Sequence, residues 1–459
     1  VTTFLGMETM RRAVSANQVA LQTVGNNIAN AGTPGYSRQR ANMEATPGYP
    51  GLGPFGQPVM NGRIGTGVEI SKIERIRDQF LDQQFRSEAH IEGSAFMQYR
   101  TLERLEDLYN EGPTNSEHPS GLSGQLNAFW NGWKELASGQ ENQAVLIEQG
   151  KAVTDTFTHL QNAFNTELSS LRKEAELKTD QVNDLLEQIA INNKTIAKIE
   201  GTNQTPNELY DEQDRLIDQL STLIPIEVSR ETNKKGFEGT YSIKGINNGP
   251  TLVNENGASK IELNDEAAAQ SGLSWQINTT DGLSTEFINA SSGGGELFGL
   301  QKAYARIEQE RTDFSAIARD IAGEVNAIFA ADSDVAFFLI EDNGSIKVNE
   351  ALNSNMNIDI EKAKAIGDLA VNSTAVKEYQ DLMGKLGVET QSVRRQGEAS
   401  SSRLANIDGN RMAMSSVSLD EELTMLIQYQ HSYNAAARVM TAMDEMLNTI
   451  INGMGVVGR

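Results

Sequence analysis

Residues 419–457 read LDEELTMLIQYQHSYNAAARVMTAMDEMLNTIINGMGVV, and a seven-residue repeat runs through them. One row is Leu419, Leu426, Tyr433, Met440, Leu447 and Met454. A second row, three residues on, is Glu422, Tyr429, Ala436, Met443, Ile450 and Val457, and only Glu422 interrupts the apolar pattern. Ser418 supplies an N-cap, and Asp420 and Glu421 are first-turn acids. The stretch predicts a helix of about 55 Å at 1.5 Å rise per residue.

The other end of the chain carries the same repeat. Met7, Val14, Leu21 and Ile28 recur every seven residues, with Met10, Asn17, Val24 and Ala31 as the second row. Gly32 and Pro34 end this run, as helix-stop residues do. Two heptad helices at opposite ends of one chain fit pairing with each other or with copies in other subunits. Periodicity alone equally fits two amphipathic helices lying on a globular core.

Between the ends, the chain changes character several times. Residues 33–67 are dense in glycine and proline (Pro34-Gly35, Pro47-Gly48, Pro50-Gly51, Pro54) and read as an extended connector. Helical spacing is read from Ile73 to Tyr109 through Ile73, Ile76, Phe80, Tyr99, Leu102 and Leu105. It returns from Gly121 to Ala137, where Phe129, Trp130 and Trp133 fall at core positions, then from Val145 to Ile199 and from Leu297 to Phe329. Residues 223–292 instead alternate in short runs, such as Ile224, Ile226 and Val228, or Leu273, Trp275 and Ile277. Asn247-Asn248-Gly249 and Asp281-Gly282 separate them, which predicts strands joined by hairpins. A smaller hairpin, Phe337–Val348, turns at Asn343-Gly344.

The expected architecture is therefore multidomain and mainly α with an inserted β domain. Residues 1–58 and 405–459 form a discontinuous terminal domain, and 59–222 with 293–404 a helical middle domain carrying the hairpin at 337–348. Residues 223–292 form the β insertion, whose close ends suggest that it can be removed without unfolding its host.

Bulk properties narrow the function. At 459 residues the chain exceeds what one core usually supports. Its net charge of −23 argues against nucleic acid and anionic membrane surfaces as partners. The ends are weakly complementary: residues 1–60 carry a net of +2 and residues 415–459 a net of −3. With no cysteine, disulfides, thiolate metal sites and cysteine nucleophiles are absent. No run approaches the roughly 18 apolar residues of a membrane span. Nor does a basic segment precede an apolar one near residue 1, so any export is expected to bypass a cleaved signal.

Chemistry is sought in vain. His90, His118, His159 and His431 are scattered without metal-motif spacing. Gly51, Gly53 and Gly56 match G-x-G-x-x-G, but Pro50, Pro54 and Pro58 deny the strand and helix that a dinucleotide site requires. Asp332-Ser333-Asp334 lacks the further oxygen ligands of a cation loop. No catalytic residue, cofactor or metal is expected, and the chain reads as a non-enzyme.

Residues 25–39, GNNIANAGTPGYSRQ, resemble the N-terminal signature shared by flagellar rod, hook and hook-associated proteins. Asn27, Asn30, Thr33, Pro34, Gly35 and Tyr36 carry that likeness. The strings SLDEEL from Ser418, LIQYQ from Leu426, YNAAARV from Tyr433 and MDEML from Met443 resemble the hook-associated members at the junction of hook and filament. Phe129-Trp130-Asn131-Gly132-Trp133 and Gly344–Asn349 are similar to them too, whereas residues 223–292 carry no such likeness.

The resemblance implies a secreted, extracellular structural protein of the bacterial flagellum, exported through the flagellar channel. It would assemble as a ring through paired terminal helices, with its middle domains outward. Implied partners are further copies of itself, the hook protein, a second junction protein and an export chaperone. On that reading the assembly interface comprises Met7, Met10, Val14, Leu21, Val24 and Ile28 with Leu419, Leu426, Tyr429, Tyr433, Met440, Met443, Leu447, Ile450 and Met454. A rod or hook subunit of the same family is the nearest alternative. A secreted adhesin that binds through its β domain is a more distant one.

Overall fold

In the computed structural model, one helix of 59 residues, α4 (Gln143–Gly201), is the spine of the body, packed against four other helices, strands of two small sheets and a late hairpin. The structure describes residues 2–52, 58–109, 121–139, 143–231, 237–247, 249–264, 272–279, 284–288, 293–330, 335–341, 344–352 and 358–453. Met454, Val457, His118, Gly53, Pro54, Gly56, Asp332–Asp334, Asn248, Asp281-Gly282 and Asn343 lie outside that set.

The helices before α4 are α1 (Thr2–Ala29), α2 (Gln79–Tyr109) and α3 (Gly121–Ala137). Those after it are α5 (Asn207–Leu223), α6 (Gly295–Phe329), α7 (Ile360–Asn372), α8 (Thr374–Ser415) and α9 (Leu419–Asn448). A short π-helical turn, Thr449–Gly453, follows α9. Residue 405, the expected edge of the terminal domain, falls inside α8.

The glycine- and proline-rich segment is not an extended connector. It forms a two-stranded antiparallel ribbon: β1 (Gln39–Ala45) pairs with β4 (Val68–Arg75), and β2 (Tyr49–Leu52) with β3 (Pro58–Ile64). Proline is tolerated because a two-stranded ribbon consists only of edges. The helix read from Ile73 also begins later, at Gln79, and Phe80 is exposed. In β4, Ile73 pairs with Ala41, and Ile76 lies just past the strand, so their spacing of three, like that of a helix, spans a strand end. Met43 pairs with Ile70 and Asn42 with Lys72, which leaves Ser71 as an extra residue in the ladder.

Residues 226–288 form two small antiparallel sheets. β5 (Ile226–Glu231), β6 (Thr240–Gly245), β7 (Thr251–Asn254) and β8 (Gly257–Ala258) make one, and β9 (Lys260–Leu263), β10 (Trp275–Asn278) and β11 (Ser284–Ile288) the other. The hairpin β12 (Phe338–Ile340) and β13 (Ile346–Val348) packs on α4 and α6.

These sheets are bonded to the spine. Asn193 of α4 donates to the Tyr241 carbonyl at 2.8 Å and accepts from the Tyr241 amide at 3.0 Å. Asn183 grips Ile261 of β9 in the same way, both bonds at 2.8 Å, and Trp275 donates to Thr179 at 2.7 Å. Each asparagine thus acts as one more strand for the backbone it meets. Ile243, Ile261, Trp275 and Ile277 join the core of the helical body. That core runs without a break from Met97 to Leu386 and centres on Phe129, Trp130, Trp133, Phe157, Phe164, Phe314 and Phe337.

Candidate assembly interface

α1 and α9 lie side by side and antiparallel. A Cβ on Gly6, near the start of α1, would stand 2.8 Å from Met443 Cε, while Asn27, near its end, bonds Glu422 in the first turn of α9. α1 is covered from a second side by β1 and β4. Its fully buried residues are therefore Ala16, Asn17, Ala20, Thr23, Val24 and Asn27. Met7, Met10, Val14, Leu21 and Ile28 are half-buried, so only Asn17 and Val24 of the two rows read in sequence lie on the buried face. On α9, Leu426, Tyr429, Tyr433, Met440 and Met443 are half-buried, Ala436 and Leu447 are buried, and Leu419 and Ile450 are exposed.

The residue that broke the apolar repeat is the best-buried one on the helix. Glu422 is 0% exposed. It accepts from Arg38 Nε at 2.7 Å and from Asn27 Nδ2 at 3.0 Å, and Arg38 also donates to Glu421 at 2.7 Å. Ser418 makes no side-chain cap, so the acids of this first turn serve Arg38 rather than capping. Here the opposite charges of the two chain ends meet as specific bonds.

The signature residues build this knot. Asn27 is also 0% exposed and uses all of its amide: it donates to the Gln39 carbonyl at 2.8 Å and accepts from the Gln39 amide at 2.9 Å and the Tyr36 hydroxyl at 2.8 Å. Asn30 donates to Asn26 and accepts from Thr33. The Tyr36 amide closes a turn on the Thr33 carbonyl at 3.2 Å. In that turn Pro34 supplies its fixed φ, and Gly35 takes φ +83°, which a side chain would strain.

Directly below lies a charged joint that holds the ribbon to the body. Five arginines (75, 77, 86, 230 and 411) interlock with Asp82, Asp211, Asp214, Asp218 and Glu238. Arg75 and Asp214 have 0% exposed side chains and meet at 2.9 Å. Asp211 accepts from the Ser37 amide at 3.1 Å, which ties the signature turn into the same cluster. Tyr241 of β6 donates to Asp214. Burial opposes the charge on Asp214, but Arg77, Arg75 and Arg86 around it prevail and hold its carboxyl far below the usual range. Asp211 goes the other way, because burial outweighs Arg75 and raises it.

Sequence reading missed this joint because its members are scattered from residue 75 to residue 411, and no periodicity links an arginine to a distant carboxylate. Glu422 carried a usable signal, as the one charge on an apolar row. The joint also overturns the expectation that the β insertion is removable. Arg230, Glu238 and Tyr241 belong to the cluster, and deleting them would leave Arg75 and Asp214 buried and underpaired.

No helix among the described residues is long and apolar enough to cross a membrane. No group of three or more histidine, aspartate or glutamate side chains among them is placed to hold a metal ion.

Residues 102–336 match the family described as flagellar hook-associated protein FlgK helical domain. Residues 409–453 match the flagellar basal body rod FlgEFG protein C-terminal family, and residues 7–36 the flagella basal body rod protein family. Flagellar hook-associated protein 1 of Bacillus subtilis (strain 168) is 34% identical, and the alignment covers 100% of both chains. The protein of the same name from Salmonella typhimurium is 28% identical over 52% of this chain and 41% of that one. The solved flagellar hook junction protein FlgK from Burkholderia pseudomallei superposes on 56% of this chain and 46% of that one, with TM-score 0.47 at 20% identity. The chain belongs to the flagellar hook-associated protein 1 family, structural components of the bacterial flagellum.

Proposed function

We propose that the chain is a subunit of the hook–filament junction and assembles as a ring through α1 and α9. The observation that carries this reading is the mismatch between the two faces of α9. One face is spent on α1, while Leu423 at 49%, Ile427 at 53% and Met446 at 52% exposure have little cover among the described residues. A paired helix that still shows large apolar side chains is suited to neighbours on either side. The hook protein on one side of the ring, the second junction protein on the other and an export chaperone before assembly complete the set of partners. The helical body and the two small sheets would lie outward, outside the cell.

Electron microscopy of a strain lacking the gene tests this reading. Hooks without filaments, with filament protein shed into the medium, are expected. Normal filaments on those hooks, or loss of the hooks themselves, would contradict a junction role. Ile427→Asp, at an exposed position, should reproduce the deletion while the purified subunit keeps its thermal unfolding.

A further inference from the structure

The two rows of α9 are apolar from Leu426 onward, and a repeat of this kind does not by itself select one alignment. Sliding α9 by one heptad, about 10 Å at 1.5 Å per residue, brings apolar residues again onto the same partners. Tyr429 would then replace Glu422 against Asn27, and Ile450 would replace Met443 against Gly6. On apolar burial alone the slipped pairing competes well: it covers Ile450, 45% exposed as it stands, and releases Leu419, already 50% exposed. A slip in either sense has to be taken up at the join of α8 and α9, where Arg38 N donates to the Ser415 carbonyl at 2.8 Å and residues 416–418 form the link.

We propose that Glu422 is the positioning residue that sets the register of α9 on α1. In the observed alignment its carboxylate is enclosed and bonded on both oxygens, by Arg38 and by Asn27. After a slip it leaves both donors, and Arg38, whose side chain is 17% exposed, loses Glu421 as well, because that residue travels on the same helix. A single polar residue on an otherwise apolar row is the best attested way for a helix pair to fix its register. Register matters here because it decides which side chains stand exposed for neighbouring subunits. The inference rests on the pairing of α1 with α9 proposed above.

The absence of cysteine makes a direct test possible in the full chain. Gly6→Cys with Met443→Cys should form an intramolecular disulfide in the observed register. Gly6→Cys with Ile450→Cys should form one only after the slip. With Glu422 intact, the 6/443 product should exceed the 6/450 product at least about tenfold, as the loss of two charge-assisted hydrogen bonds implies. In the Glu422→Leu background that preference should fall to near parity or invert, while helix content by circular dichroism is unchanged, since an apolar residue fits the row. A 6/443 preference that persists in Glu422→Leu would overturn the proposal, because register would then be set elsewhere. Loss of both products together with helix content would also overturn it, marking Glu422 as a stability element. Failure of both pairs to close with Glu422 intact would instead refute the pairing of α1 with α9, and this inference with it.

Discussion

The body and the terminal pair are both mainly helical, but they bury different things. The body encloses rings: Tyr109, Phe157, Phe164, Phe314 and Tyr379 meet edge-on or tilted at centroid distances of 5.0 to 6.4 Å, and a second group surrounds Trp133. The apolar side chains that α1 and α9 bury fully are Ala16, Ala20, Val24, Ala436 and Leu447, and none belongs to the body's continuous core. Stabilisation grows with apolar area removed from water, at about 25 cal/mol per Å². Small side chains contribute little of it, and a two-helix pair with few of them is marginal in water. The body thus holds most of the buried apolar surface, and the terminal pair holds little.

The largest effect separating the two regions should come from Asp214→Asn. Removing one charge from the buried joint leaves Arg75 and Arg86 underpaired, at a cost of about 3–5 kcal/mol. Thermal unfolding should show one lowered transition in which the body and its sheets melt together. If only part of the molecule is destabilised, the sheets are not integral to the body. Phe314→Ala should cost a similar amount, about 3–5 kcal/mol for a ring lost from a packed core. A much smaller loss would mean that the aromatic cluster is loosely packed.

Acid offers a graded version of the same test. The folded-state values of Asp214 and Glu238 are depressed, so their contribution is complete above the ordinary carboxylate range and is lost as pH falls below it. Asp211 has the opposite sign: its raised value makes protonation easier in the folded state, which blunts the loss. The midpoint of body unfolding should therefore be nearly flat from pH 7 to 5 and fall below about pH 4. Asp214→Asn should flatten the acid limb. Unchanged acid sensitivity in that variant would place the titration elsewhere.

The smallest expected effect is on the isolated subunit's ends. Limited proteolysis of the monomer should trim residues before about 37 and after about 415 and leave the joint intact, since unsupported helices fray first. Equal protection of both ends in a proven monomer would show that the pair is self-sufficient.

How much of this was legible in sequence follows from the range of the forces involved. The long helices were readable because Val153, Phe157, Leu160, Phe164 and Leu168 of α4 meet the core at the period of the helix itself. Strands between 226 and 288 were readable from alternation. The ribbon was not, because Ile73 and Ile76 at the end of β4 are spaced like a helix and prolines masked its partner. On α9 the two rows hold the buried Glu422, Ala436 and Leu447, while Leu419 and Ile450 of the same rows stay exposed. On α1 only Asn17 and Val24 of the two rows are buried, because a second partner, the ribbon, shares that helix. Buried charge was legible only as an oddity at Glu422, and the meaning of that oddity depended on Arg38 and Asn27, nearly 400 residues away.

Leu447→Asp tests the central division most directly. Leu447 is buried at the far end of α9, outside the body's core. An aspartate there would lose the apolar contact and leave a charge without a partner. The measurement is motility and filament protein shed into the medium, taken with thermal unfolding of the purified chain and with the exposed Arg438→Gln as control. The account predicts unchanged export and unchanged melting of the body, loss of swimming and abundant shed filament protein. Normal swimming with Leu447→Asp would contradict it.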